Sequence, residues 1–287
     1  VFTMPHEADQ IVIQIVDEFR PDIIHLHEND HIQVETLRKI KKKYPNIVLT
    51  QLTCDYREEL LPTVLVLGQA VDLTLVGCYR GIISKYRAAG LNCVDEWSIA
   101  VDAFHDIIDD QRPVHQEGIV FFGNNYGNTF PDGPKRLELL QRLSREFPDE
   151  FRVYGNGWEG YGVNQCKGGY VEPAMICYQA KVSIGISHFT QVLQTMSDRP
   201  LKAMAAGCAH LEYASVGLAE EAIDGYHWWL FHTIDECVDK VRYLLAHEDV
   251  RRTMGNVGRN FVRARHTWDV RMVEYKALLL KYGLLRE

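Results

Sequence analysis

The feature that most constrains the fold is an alternation along the whole chain, in which short apolar runs rich in β-branched residues are each followed by a helix-length amphipathic stretch. Such a pattern belongs to βαβ units, whose strands lie parallel and buried between helices, so the chain reads as α/β. In the first part, strands are expected over 22–26, 47–51, 72–76 and 93–99. Helices are expected over 7–19, 32–44, 58–70 and 79–89, the last stopped by Gly90.

A polar stretch, DAFHDIIDDQRPVHQE, then interrupts the pattern, and a new strand begins with GIVFFG at Gly118. The expected domains are therefore 1–112 and 113–287. The second repeats the plan with strands over 119–122, 151–154, 182–186 and 208–211 and another ending near Phe231. Its helix over 134–147 places Leu137, Leu140, Leu143 and Phe147 on one face, and shorter helices are read over 173–180 and 199–206. Thr233 and Glu236 have capping-box spacing at the start of a further helix, and two more, over 249–262 and 268–282, close the chain.

Composition excludes several classes of function. A net charge of -8 and a pI near 5.8 do not suit a surface that holds nucleic acid. No apolar run approaches the roughly 20 residues of a membrane span. The seven cysteines form no CxxC pair, no Asn-x-Ser/Thr acceptor is present and no signal peptide is seen, so a reducing, cytoplasmic setting is expected. Because the chain starts at Val1, inside an α/β pattern, an upstream segment of the first domain is expected to be missing.

Two motifs look decisive and are not. His27, Glu28 and His31 spell HExxH, but that zinc motif needs a helix, and PDIIHLH reads as a strand running into the turn formers Asn29 and Asp30. Val34 and Leu37 also stand where the metzincin continuation has Gly and His. Gly155, Gly157 and Gly160 fit GxGxxG after a strand, yet YGVNQCKGG follows in place of a helix, and no acidic residue ends the next strand. This loop is read as structural or nucleotide-side, not as an NAD site. No metal and no cofactor are expected.

Two segments carry anion chemistry. SDRPLKAMAAG, from Ser197 to Gly207, has a capping residue, Pro200 in the first turn, Arg199 and Lys202 nearby and a C-terminal Gly. It is either a phosphate-facing helix N-terminus or an ordinary helix packed closely through its alanines. In FFGNNYGNTFPDGPKR, Gly123 and Asn124 leave a strand end while Lys135 and Arg136 open a helix. Ligands of parallel sheets sit outside such carboxyl ends, although both cations also fit a solvated surface.

FFGNNYGN with KRLELLQRL, FRVYGNGW, GGYV, AKVSIGISH, SDRPLKAMAAGCAHL and RHTWDVRM occur in an order that resembles the CgeB-like (spore maturation) family of GT-B glycosyltransferases over about Gly118 to Met272. The resemblance implies a GT-B fold, α/β with two Rossmann-like domains facing a cleft, the first of them truncated here. It implies transfer of a hexose from a nucleotide-diphosphate sugar, held by the second domain, to a saccharide, protein or lipid-linked acceptor on the first. Carried over by position, Gly123, Asn124 and Arg136 lie near the diphosphate, Tyr154 and Trp158 near the base, and Arg199 near the phosphates. The family has Phe-Glu where this chain has Leu201 and Lys202, and a lysine cannot accept ribose hydroxyls but can hold phosphate.

His27 and Asp55 follow strand ends of the first domain, where Asp55 could serve as base toward an acceptor hydroxyl. Equally, Asp55 could cap a helix and His27 could bond the backbone. His188 ends a strand and could reach the donor, whereas His210, His266, Trp228 and Trp229 read as core. Two other functions share this shape, a non-catalytic binding or scaffold protein and a nucleotide-sugar epimerase.

Overall fold

Nine parallel strands make up two sheets in the computed structural model, which describes residues 5–27, 31–54, 59–77, 80–108, 117–166, 172–193 and 196–286. The chain divides into two compact units, Val1–Ser98 with Met272–Glu287, and Ile99–Arg271.

The first unit contains α1 (Pro5–Phe19), β1 (Ile23–His27), α2 (Val34–Lys43), β2 (Val48–Thr53), α3 (Pro62–Gly68), β3 (Leu73–Val76), α4 (Ile83–Ala88) and β4 (Val94–Glu96). Its four strands lie in the order β1-β2-β3-β4. Val16, Leu26, Leu37, Ile40, Leu49 and Leu67 form one of its cores. Removing such side chains from water is the main stabilising contribution, roughly 1.5–3 kcal/mol for each large one. The end of α2 is tied to the sheet by Lys41, whose Nζ donates to Ile47 O and Asp72 Oδ2, both at 2.6 Å. That carboxylate oxygen also accepts from Leu49 N at 2.8 Å.

Several elements are shorter than the sequence pattern predicts. α3 begins at Pro62, where a missing N–H costs nothing in a first helical turn, and residues 59–61 are not helical. A 3-10 turn over Arg80–Ile82 precedes α4, and β4 ends at Glu96.

The second unit contains β5 (Glu117–Phe122), α5 (Gly133–Glu146), β6 (Phe151–Tyr154), α6 (Pro173–Tyr178), β7 (Ala180–Gly185), α7 (Asp198–Ala205), β8 (Ala209–Tyr213), β9 (Trp229–Phe231), α8 (Ile234–Ala246) and α9 (Glu248–Arg265). Ile119, Phe121, Val182, Ile184 and Leu211 pack with Leu139, Leu140 and Leu143 of α5 and Val241 and Leu244 of α8. Val120, Phe122 and Cys208 pack with Ile176 and Cys177 of α6, Ala203 of α7 and Ala206 just after it. The α8 start is capped as its sequence predicts, with Thr233 Oγ1 accepting from Glu236 N at 3.1 Å.

Two segments pack away from the domain in which their sequence position puts them. Residues 99–108 belong to the second unit, where Val101 bridges to Thr267, Arg271 Nε donates to Ile99 O at 3.4 Å and Arg259 Nη1 donates to Ile108 O at 2.7 Å. The last helix, α10 (Trp268–Lys281), belongs to the first unit from Met272 onward. Tyr275 OH meets Thr50 Oγ1 at 2.7 Å and its ring lies 5.0 Å from that of Trp97, while Lys281 and Tyr282 reach Asp95 Oδ2 at 2.5 and 3.1 Å.

The strand order of the second sheet, β6-β5-β7-β8-β9, positions its site. From β5 the chain steps to β6 on one side and later to β7 on the other. The sheet therefore has its topological switch point at the carboxyl ends of β5 and β7, where open α/β sheets bind ligands.

Candidate functional site

At the switch point β5 runs into Gly123, whose φ of 149° side chains rarely adopt. A Cβ on Gly123 would overlap Arg136 Nη2 and lie 3.4 Å from Arg199 Nη1, so two guanidinium groups converge on this bare stretch of backbone. Arg136 comes from the first turn of α5 and Arg199 from the first turn of α7. Ser197, which precedes α7, makes no side-chain cap, so the helix N-terminus adds backbone N–H groups beside Arg199.

Arg136 is only 1% exposed. Its Nη1 meets His188 Nε2, and its guanidinium lies over the Phe121 ring at 4.7 Å. Nε and Nη2 have no hydrogen-bond partner among the described residues. Burial first, and then the neighbouring Arg199, drives the Arg136 pKa well below its ordinary value, while Glu212 and Tyr126 act in the opposite sense. An arginine stays protonated in proteins, so the guanidinium is held as a cation where burial and Arg199 both oppose its charge.

The surrounding loops are fixed by their own polar groups. Gly123 N donates to Tyr154 O at 2.8 Å, and Asn124 Oδ1 accepts from Asn156 N at 2.9 Å. Asn125 N donates to Asn156 O at 2.9 Å, and its side chain donates to Gly157 O at 2.8 Å. Gly155, with φ of 134°, lets the two loops approach, since a Cβ there would overlap Gly123 O. Gly155, Gly157 and Gly160 thus serve a loop, and no helix follows them within the described residues to Cys166.

The structure brings Gly123, Asn124, Arg136, Trp158, His188 and Arg199 into one constellation, each in a definite role. Trp158 is buried, and its Nε1 donates to Gly123 O at 2.8 Å, so the indole holds the loop from below. Tyr154 enters through its carbonyl, while its half-buried ring packs on the core layer of Val120 and Phe122. The His188 ring lies 4.8 Å from that of Phe130 and 5.6 Å from that of Tyr126.

Lys202 is held elsewhere, 3.2 Å from Asp198 Oδ2 and 3.8 Å from Glu172 Oε1. Burial opposes its charge, but Asp198, Asp106 and Glu172 outweigh it and hold the lysine pKa above its ordinary value. His27, in the first unit, is exposed and closes β1, with its Nε2 3.9 Å from Cys54 Sγ. Glu28 and Asp55 lie outside the described residues, and among those described no group of three or more His, Cys, Asp or Glu could hold a metal ion.

One organising residue is absent from the sequence reading. Asp132 precedes α5 but does not cap it, and its Oδ2 instead accepts from Thr190 N at 2.6 Å and Thr190 Oγ1 at 2.8 Å. With Asp132 N donating to His188 O at 3.1 Å, this ties the loop after β7 to the start of α5 and sets His188 against Arg136. The signal was the Pro-Asp-Gly-Pro run just before Lys135, to which the sequence reading gave no role.

Residues 135–277 match the model of a family described as glycosyl transferase-like. Three solved structures share the fold at low identity. Sucrose-phosphate synthase from Thermosynechococcus elongatus is 12% identical with a TM-score of 0.64, over 96% of this chain and 77% of that one. HepE from Anabaena, solved with UDP and glucose, is 11% identical with a TM-score of 0.66, over 94% and 80%. The pneumococcal O-GlcNAc transferase GtfA, solved with UDP and GlcNAc, is 11% identical with a TM-score of 0.63, over 98% and 61%.

The fold is of the GT-B type. No curated protein is similar enough in sequence to match it. Within this fold the family match begins at Lys135 and takes in Arg136, α7 and the carboxyl ends of β7 and β8. Among the described residues no helix is long and apolar enough to cross a membrane.

Proposed function

We propose that this chain is a GT-B glycosyltransferase that moves a hexose from a nucleoside-diphosphate sugar to an acceptor hydroxyl, and that it is a member of the CgeB-like branch of such enzymes. The observation that carries this reading is Arg136, buried, unpaired at Nε and Nη2 and set beside Arg199 at the switch point. Two adjacent guanidinium groups repel each other, and leaving donors of a buried charged group without acceptors costs on the order of 1–3 kcal/mol or more. A diphosphate resolves both, because its oxygens accept from both arginines and from the N-terminal amides of α7.

The same geometry serves the chemistry. As the bond from the anomeric carbon to the diphosphate oxygen breaks, negative charge grows on the leaving diphosphate, where preorganised donors are worth most. Arg136, Arg199 and the α7 N-terminus supply those donors, and Gly123 gives the phosphates access to the backbone. UDP is the favoured nucleotide because structural neighbours were solved with it. His27 and Asp55 remain the acceptor-side assignments, Asp55 as base and His27 as a contact.

UDP should raise the melting temperature of the full chain, and Arg199→Ala and Arg136→Ala should each remove that shift. If neither UDP, GDP nor dTDP changes the melting temperature of the unmodified chain, the reading is wrong. Because the carboxylates of Asp198 and Glu172 engage Lys202, a nucleotide-binding protein without turnover is a second reading. Release of free hexose or transferred product from a radiolabelled UDP-hexose separates the two, and conversion of the donor without an acceptor would instead mark an epimerase.

A further inference from the structure

In the sheet of the second unit, a buried polar chain links β7 and β8 on the face that carries Val120 and Phe122. Ser183 Oγ lies 2.7 Å from His210 Nδ1, and His210 Nε2 lies 2.9 Å from Glu212 Oε2. All three residues are less than 5% exposed. With Glu212 Oε2 as acceptor, His210 Nε2 is the donor to it and Nδ1 faces the serine hydroxyl. Burying three polar side chains in a sheet interior is costly unless they serve something that apolar residues cannot.

What they serve follows from the register. Gly185 pairs with Glu212, and a Cβ on Gly185 would overlap the Glu212 carboxylate, so that carboxylate lies across β7 in the space the glycine leaves open. Val120 pairs with Ser183, which sets the Phe122–Gly123 end of β5 beside Gly185. The carboxylate thus reaches the end of the sheet at which Arg136 and Arg199 converge. Its charge also acts on Arg136 in the sense opposite to that of Arg199.

We infer that Glu212, held by His210 and Ser183 in the space left by Gly185, is a positioning residue: the fixed countercharge that keeps Arg136 and Arg199 together at the switch point in the unliganded protein. This rests on the diphosphate reading of that site. A fixed anion stabilises the paired arginines without a ligand and repels the ligand once it binds, so it lowers affinity for the leaving diphosphate and favours its release.

Glu212→Gln keeps the shape and removes the charge. Without ligand its melting temperature should fall, while its affinity for inorganic pyrophosphate and for UDP, measured by calorimetry, should rise roughly three- to tenfold. A merely structural role would lower stability and leave pyrophosphate affinity unchanged or weaker, and either result overturns the inference. Should Glu212→Gln fail to fold, the double variant with Arg136→Gln should fold again, because the excess positive charge is gone; if it does not, the countercharge role is wrong. Failure of the unmodified chain to bind pyrophosphate or any nucleoside diphosphate would instead strike the proposed function itself.

Discussion

Each unit sets a titratable group of a different kind against its sheet. At β1 of the first unit, His25 packs between the rings of Trp97 and Tyr275, 5.4 and 5.6 Å away, and its Nδ1 lies 2.9 Å from Thr50 Oγ1. Burial, and then the nearby His27, lowers its pKa to about 4. An imidazole answers burial by giving up its proton and remaining as a neutral ring. In the second unit Arg136, on α5 and over the Phe121 ring of β5, is buried more deeply and has no such option. A buried group that can discharge is compatible with pure structure, whereas one that cannot marks a place built around a partner of opposite charge.

The comparison breaks most directly at Arg136. Arg136→Met keeps length and apolar contact with Phe121 while removing the charge. Affinity for UDP should fall about a hundredfold, the size expected for losing charge-assisted bonds worth about 3 kcal/mol, while the melting temperature without nucleotide should hold or rise. A variant that loses stability and keeps UDP affinity would make Arg136 structural like His25.

Gly123→Ala tests the access that the arginines share. Its Cβ would displace Arg136 Nη2 and strain a backbone at φ of 149°, so roughly tenfold weaker UDP binding and a loss of about 1–2 kcal/mol in stability are expected. Calorimetry and chemical denaturation read these separately, and unchanged UDP affinity would remove Gly123 from the site.

His25 sharpens the other side. Its pKa is 6.5 unfolded and about 4 folded, so the unfolded chain binds the extra proton between those values. Stability is therefore full above about pH 6.5 and declines as pH falls toward 4, by on the order of 1 kcal/mol once partial exposure is allowed for. His266, lowered to about 4 by burial and then Arg271, adds a loss of the same sign in the second unit. Melting temperatures from pH 7 to 4.5 should drop less in His25→Gln than in the unmodified chain, and parallel curves would refute the assignment.

Much of this was legible in the sequence, and what was not has physical reasons. The strands of both sheets announce themselves because parallel strands are buried on both faces and read as apolar runs such as IVFF at 119–122. The site lay half open to view. Lys135 and Arg136 read alike as charges at a helix start, yet Arg136 stands three, four and seven residues before Leu139, Leu140 and Leu143, on the stripe that faces the core. Periodicity alone would have separated it from Lys135. The contacts of Asp132 with Thr190 and of Glu212 across Gly185 join residues far apart in the chain or on neighbouring strands, and no local pattern encodes them. The same holds for α10, whose pattern defines a helix but not the sheet that Tyr275 packs against.

The smallest expected effect concerns Lys202, where sequence and geometry point in different directions. By position it stands near the diphosphate, in the same helix as Arg199 and three residues on. Three residues is most of a helical turn, and the side chain leaves the helix toward Asp198, four residues earlier, and toward Glu172 before α6. A lysine already neutralised in this way, and only partly exposed, has little attraction left for a phosphate, and such pairs are worth about 0.3–0.5 kcal/mol to the helix. Lys202→Met should therefore leave UDP affinity within about twofold and lower stability by a few tenths of a kcal/mol. A loss of affinity approaching that of Arg136→Met would mean that Lys202 abandons its carboxylates for the ligand, and the contrast between a guanidinium with unmet donors and a lysine already held by carboxylates would no longer mark the site.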